Sequence, residues 1–271
     1  MPHFRIVLAY DGTDYVGWQR QANGVSIQAL IEDALHSIDG RAVAVAGAGR
    51  TDSGVHALGQ VAAFTIERAL SPDAVVRAIN AHLPDAIRIM SADEVPPSFH
   101  PRFDAIAKTY RYRIWNGEIV SPFERRYAWH VTGALDVEAM GAAARSIEGR
   151  HDFAAFQAAG SDVATTVREV AESRVLRIAD CGLRNDCGLR IEDRGFPQIR
   201  TPHSALLAYE VTGTGFLRHM VRTIAGTLVE VGCGRRPVEW MADVLASHDR
   251  AAAGPTAPAA GLFLVRVDYP E

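Results

Sequence analysis

The feature that most limits what this chain can fold into is its repeated change of hydrophobic period. FRIVLAY (4–10) is a short apolar, β-rich run stopped by Asp11 and Gly12, the pattern of a strand entering a turn. Next, Ile27, Leu30, Ile31, Ala34, Leu35 and Ile38 recur at three- and four-residue steps between Ser26, a capping residue, and Gly40, a terminator, so the period there is helical. RAVAVAGA and QVAAFTI then read as two strands. Ser71 and Pro72 form a cap and first-turn pair for a helix reaching about His82, and AIRIM resumes a strand. Strands mixed with helices at hairpin-like spacing place the chain in the α+β class, with a mostly antiparallel central sheet flanked by helices.

From about residue 105 the order of elements begins again. AKTYRYRIW reads as a strand, DVEAMGAAARSI as a helix with Asp136 near its start, and VREVAESRVLRI and ALLAYEVTG as further strands. GFLRHMVRTIAGTLVEVG predicts a helix with Phe216, Met220, Ile224 and Leu228 on one face, PVEWMADVLAS a short helix opened by Pro237, and GLFLVRVDY a closing strand. The expected organisation is therefore two similar α/β halves, 1–104 and 105–271, with a cleft between them; the echo lies in element order and not in residue identity. Residues 180–202, which contain DCGLR twice, are expected to form an irregular hairpin or inserted loop, and AAAGPTAPAAG (251–261) a flexible connection.

In 271 residues, 48% are hydrophobic and 22% charged, which excludes a disordered chain and points to a soluble globular protein. No apolar run approaches the roughly 18 residues of a spanning helix. The N-terminus lacks a basic region followed by a long apolar core, so a cytoplasmic setting with no membrane partner is expected. Cys181, Cys187 and Cys233 are an odd number without metal spacing, consistent with reduced thiols. The net charge of −4 would argue against a nucleic-acid partner, but a sum can hide a local field. Nearly every cation is an arginine, suited to phosphates and bases; Lys108 alone is a lysine. Two windows are basic: 99–113 holds Arg102, Lys108, Arg111 and Arg113 against Asp104, and 215–236 holds Arg218, Arg222, Arg235 and Arg236 against Glu230, so each carries +3.

The stretch AGAGRTDSGVHALGQ (46–60) sets Asp52 two residues from Arg50 among Gly47, Gly49 and Gly54. Flanked by strands, Asp52 should sit in a loop at the end of a sheet. An aspartate in such a turn commonly bonds its own backbone; here the glycines permit close approaches, and Arg50 could hold the carboxylate ionised or face a substrate. A fixed carboxylate can serve as nucleophile or base. There is no P-loop, no GxGxxG in a βαβ unit, no HExxH and no CxxC. His56 and His219 read as structural or RNA-touching. Tyr110, among cations on a strand, is either a half-buried aromatic or a stacking platform for a base. A noncatalytic RNA-binding protein and a glycosidase stay open at this point, although a glycosidase normally needs a second carboxylate that no residue evidently supplies.

AGAGRTDSGVHALGQVAAF closely resembles the catalytic motif of the tRNA pseudouridine synthase A family. YDGTDYVGWQRQ, FHPRFDAIAKTYRYRIWN, GRHDFAAF, GFLRHMVRTIAGTLVEVG and PAAGLFLVRVDY resemble that family in its order, over nearly the whole chain. The resemblance implies the pseudouridine synthase fold and isomerisation of uridine to pseudouridine at positions 38, 39 and 40 of the tRNA anticodon arm, without cofactor or metal. It implies Asp52 as the catalytic aspartate, Arg222 as the cation pairing with it, and Arg50 as the residue displacing the target nucleotide. Tyr110 would stack on the flipped uracil and Leu262 pack against the base, with Lys108, Arg111, Arg218 and His219 as RNA-contact candidates. A homodimer in which one tRNA touches both subunits is likewise implied. Pro101 stands where the family often has alanine, and GTGF replaces an asparagine-containing version.

Overall fold

The structure is a computed structural model that describes residues 1–158, 160, 163–178 and 205–270. Ten strands and five α-helices occur among them: β1 (His3–Tyr10), α1 (Ile27–Asp39), β2 (Ala46–Gly47), β3 (His56–Thr65), α2 (Pro72–Asn80), β4 (Ile87–Glu94), β5 (Ala107–Trp115), β6 (Trp129–His130), α3 (Val137–Arg145), β7 (Gly149–Asp152), β8 (Val167–Arg177), β9 (Leu206–Gly213), α4 (Met220–Gly232), α5 (Trp240–Ser247) and β10 (Leu262–Asp268). They build one sheet in the order β4-β1-β3-β10-β5-β9-β8-β7, with β2 added to β3 and β6 to β5. Only β10 with β3 and β6 with β5 pair parallel, so the mostly antiparallel α+β expectation holds. The C-terminal strand enters the middle of the sheet, joining β3 to β5.

The helices α1, α2 and α3 start where their caps predict. Ser26, Ser71 and Asp136, all in extended conformation, accept from the backbone N–H groups of Ala29, Ala74 and Ala139, and Gly40 ends α1 at φ 77°. Alternate residues Phe4, Ile6, Leu8 and Tyr10 of β1 are buried in the same core as Ile27, Ile31 and Leu35 of α1 and Tyr112, Ile224 and Leu228 farther along the chain. The other side of the sheet is half-solvated and carries ion pairs such as Arg5–Asp93 at 2.9 Å.

Five expectations need correction. RAVAVAGA contributes only Ala46–Gly47 to the sheet, because Gln28 and Glu32 of α1 bond the Val45 carbonyl and N–H in place of a neighbouring strand. Phe216 is not on the helix: α4 begins at Met220, after His219 turns the backbone to φ 64°. Of the second basic window only Arg222 lies on α4; Arg218 precedes it and Arg235 and Arg236 follow it. Pro237 precedes α5 by a turn, closed by Trp240 N–H to its carbonyl at 3.2 Å. Residues 251–261 are no loose connection either. They form a strap bound to α4: Gly254 N–H donates to the Thr227 hydroxyl at 3.0 Å, and a Cβ on Gly226 would stand 1.7 Å from the Pro255 carbonyl oxygen. The expected irregular segment at 180–202 lies outside the described residues.

Candidate active site

The loop from Ala48 to Val55 is held at nearly every residue except Arg50, with Asp52 held by its carbonyl, which accepts from Val55 N–H at 3.1 Å. Lys108 Nζ donates to the Ala48 carbonyl at 2.7 Å and Gln60 to the Gly49 carbonyl at 2.9 Å. The Thr51 hydroxyl meets the buried Tyr10 hydroxyl at 2.8 Å, while its carbonyl accepts from Trp18 N–H at 3.1 Å. Burial pushes the Tyr10 phenol up to about 12, so it stays a neutral partner. The Ser53 hydroxyl and Gly54 N–H both donate to the Tyr15 carbonyl, and Gly54 takes φ 76°. Gly17 must lack a side chain, since a Cβ there would stand 2.5 Å from the Thr51 carbonyl oxygen. The Tyr10–Trp18 segment is thus a brace for the loop.

His56 closes this brace from beneath. Its Nδ1 lies 3.1 Å from both Gly12 N–H and an Asp11 carboxylate oxygen, and its Nε2 is 3.1 Å from the Ala260 carbonyl. Burial lowers its pKa against the opposing pull of Asp11. Neutral imidazole with the proton on Nε2 satisfies the Gly12 and Ala260 contacts together, which makes His56 a structural connector and not an ion-pair partner.

Asp52 is left with its carboxylate 29% exposed. Arg222 NH1 and His219 Nε2 both lie 3.5 Å from its Oδ2. The guanidinium is aimed by the strap, because Arg222 Nε donates to the Ala257 carbonyl at 2.7 Å and Ala257 N–H returns a bond to the Arg222 carbonyl at 3.1 Å. His219 is aimed by its left-handed backbone. Burial lowers its pKa, Asp52 opposes that shift, and Arg222, Arg218 and Arg250 reinforce it. Arg50 is exposed and has no ion-pair partner among the described residues.

Strand alternation sorts the first basic window. Lys108 and Tyr110 share a face of β5, whereas Arg111 and Arg113 point to the other. Tyr110 is buried, its ring edge-on to Phe216 with centroids 5.0 Å apart, and burial raises its pKa with smaller contributions from Tyr10 and Asp52. A Cβ on Gly49 would stand 3.9 Å from its hydroxyl oxygen, so Tyr110 adjoins the Asp52 loop. Arg111 instead is bonded to Glu210 at 2.6 Å and Arg113 to Glu124 at 2.6 Å. Leu262 is buried at the start of β10, following the Ala259–Gly261 turn that carries the His56 contact. Arg218 is exposed just ahead of α4.

Asp52, Arg222, His219, Tyr110 and Lys108 therefore converge around one loop, and Arg111 does not. Sequence reasoning missed Tyr10, Trp18, Thr51 and Gln60, which hold the loop; of these only Gln60, a polar residue at the head of the strand-like run QVAAFTI, carried a local signal. It also missed the strap, since Gly, Pro and Ala composition does not show that a segment is packed.

Over residues 6–104 and 143–270 the chain matches the tRNA pseudouridine synthase family. It is 46% identical over 269 residues to tRNA pseudouridine synthase A of Myxococcus xanthus, covering 99% of this chain and 92% of the relative. The protein of that name from Solibacter usitatus is 45% identical, with 99% and 100% coverage, and that from Syntrophotalea carbinolica 42%, with 98% and 95%. The matched segments contain both the pinned aspartate loop and the helix and strap that face it, and on identity of this extent the chain belongs to the tRNA pseudouridine synthase family.

Proposed function

We propose that this chain is an isomerase that converts uridine to pseudouridine at positions 38, 39 and 40 in the tRNA anticodon stem-loop, with Asp52 as its essential carboxylate. The observation that carries the reading is the contrast within one loop: its backbone is fixed on both sides while Asp52 remains accessible and faces Arg222 at 3.5 Å. A fixed loop presents the carboxylate in one geometry, facing the Arg222 guanidinium.

In the reaction the bond from C1′ to N1 breaks, the uracil rotates, and C1′ joins C5. N1 gains a proton as C5 loses one, so atoms and electrons balance without a cofactor. A duplex hides the reacting atoms, so the nucleotide must leave the stack. Arg50, cationic, planar and exposed beside Asp52, is suited to occupy the vacated place. Tyr110 offers an aromatic platform for the extruded base and Leu262 an apolar contact. Lys108, Arg218 and His219 are proposed as RNA contacts. Arg111 is set apart from them, because Glu210 already neutralises it on the other face. The halves 1–104 and 105–271 frame the cleft, and a homodimer that shares one tRNA across both subunits completes the proposal.

Incubating the protein with unmodified tRNA and mapping modified uridines tests substrate, reaction and position together. Pseudouridine at positions 38 to 40 is expected. Tight tRNA binding without product would instead indicate a noncatalytic binder, and free uracil a hydrolase.

A further inference from the structure

We propose that Lys108, Arg168 and Arg102 form a binding site for one phosphodiester of the RNA strand, beside the place of the target uridine. The inference rests on the RNA reading above. Its starting point is a difference in how the cations of this acidic chain are used. Arg5, Arg20, Arg41, Arg88, Arg111, Arg113, Arg126, Arg174, Arg235 and Arg266 each bond a carboxylate. Among the described residues Lys108, Arg168 and Arg102 bond none.

The sheet register places two of the three on one face. Lys108 on β5 stands opposite Gly213 on β9, which stands opposite Val170 on β8, so the three share one face. Arg168, two residues before Val170, lies on that face too, whereas Glu169 alternates to the other. Gly213 contributes no side chain between the cations. The Phe216 ring comes down there, 3.3 Å from where a Gly213 Cβ would stand, and meets Tyr110 edge-on.

Both head groups are tethered by neutral acceptors. Lys108 Nζ bonds the Ala48 carbonyl at 2.7 Å, leaving two N–H groups. Arg168 uses NH1 for the carbonyls of Thr165 at 2.9 Å and Val167 at 2.6 Å, which leaves Nε and NH2 to donate elsewhere. Arg102, exposed, lies close enough to repel both. Burial and Arg102 together hold the Lys108 ammonium down to about 8 and lower Arg168 as well. Asp104 forms no ion pair with these three cations among the described residues; its Oδ2 accepts from His100 N–H at 2.8 Å.

Half-buried positive charges without a counterion are costly, and an arriving anion relieves that cost. A phosphodiester offers the oxygens the free N–H groups need. Lys108 and Tyr110 are two residues apart on one strand face, about 7 Å. That is the scale of a single nucleotide, so a base on Tyr110 would put a flanking phosphate at Lys108. Arg168 lies outside both basic windows, so only the folded sheet brings it in.

The test measures binding of an unmodified tRNA transcript to the full chain across roughly 50 to 200 mM salt. Arg168→Gln should raise Kd about tenfold and flatten the log–log salt slope by about 0.7 to 0.9, one phosphate contact. Arg168→Lys should recover most of the slope, which a merely structural role would not require. Arg102→Gln, an exposed change, supplies the same readout should Arg168→Gln prove unstable. Unchanged slopes in both glutamine variants would overturn the site, as would an equal loss in Arg111→Gln on the opposite face. Pseudouridine is assayed in the same samples: if wild type makes none while the slopes still flatten, the anion site stands and the isomerase reading falls.

Discussion

The two faces of β5 carry similar side chains and have different fates. On one, Arg111 and Arg113 are neutralised by Glu210 and Glu124, and Arg174 joins Glu210 at 2.8 Å. On the other, Lys108 has only a backbone carbonyl for a partner and stands beside Tyr110 and the Asp52 loop. The difference teaches that a run of basic residues is not itself a binding surface. Alternation splits it, and on β5 the cation that faces the Asp52 loop is the one with no carboxylate beside it.

The largest effect short of removing Asp52 is expected from Arg222→Ala, which takes away the guanidinium facing the carboxylate. Single-turnover pseudouridine formation at saturating tRNA should fall on the order of 10²-fold or more. Arg222→Lys should recover only part, because one side chain contacts both the Ala257 carbonyl and Asp52. A rate within a few-fold of wild type in Arg222→Ala would remove the site face's main claim.

Gly226→Ala should be felt next, through the strap. Its Cβ would collide with the Pro255 carbonyl oxygen, so the cost of overpacking, about 1–3 kcal/mol, should outweigh the helix propensity gained. Because the strap also aims Arg222, the rate should fall with stability. Urea unfolding with the single-turnover assay checks both; a stabilised variant would show that the strap yields freely.

On the far face, Glu210→Gln should destabilise by about 1 kcal/mol or more, since a side chain only 10% exposed pairs with two arginines. Binding of tRNA should not weaken. The ion pairs lower the Glu210 pKa against burial, so their contribution is present above the ordinary carboxylate range and is lost as pH falls through the depressed value. A tRNA affinity that drops with Glu210→Gln would break the distinction between the faces.

The smallest effect is a pH signature of Lys108. Its ammonium pKa is lowered to about 8, so tRNA affinity should decline a few-fold as pH rises through that value and the charge is lost. Its stability contribution should move the other way: above about 8 the unfolded chain binds the extra proton, so this component rises with pH up to the ordinary value of 10.5. Titrating affinity and urea midpoint over that interval checks both signs, and affinity that is flat across it would leave Lys108 without a phosphate.

Much of the fold was legible because caps and periods are local. Ser26, Ser71 and Asp136 start helices as their side chains dictate, and the loop position of Asp52 followed from the strands flanking it. Long-range matters were not legible. Nothing local tells β10 to enter between β3 and β5, or Gln28 and Glu32 to satisfy Val45 in place of a strand. The helical period could be extended back to Phe216 on paper; the left-handed His219 stops it in the structure. The pairing of Asp52 with Arg222 instead of Arg50 came from resemblance, and the geometry places Arg222 and His219 at one carboxylate oxygen.

The central claim is that Asp52 performs the chemistry while the surrounding cations and aromatics hold the RNA. Asp52→Asn separates the two most directly, with tRNA affinity and pseudouridine formation measured on the same preparation. Measurable binding, within a few-fold of wild type, with product reduced by at least about 10³-fold is the predicted result. Normal pseudouridine formation by that variant would contradict it.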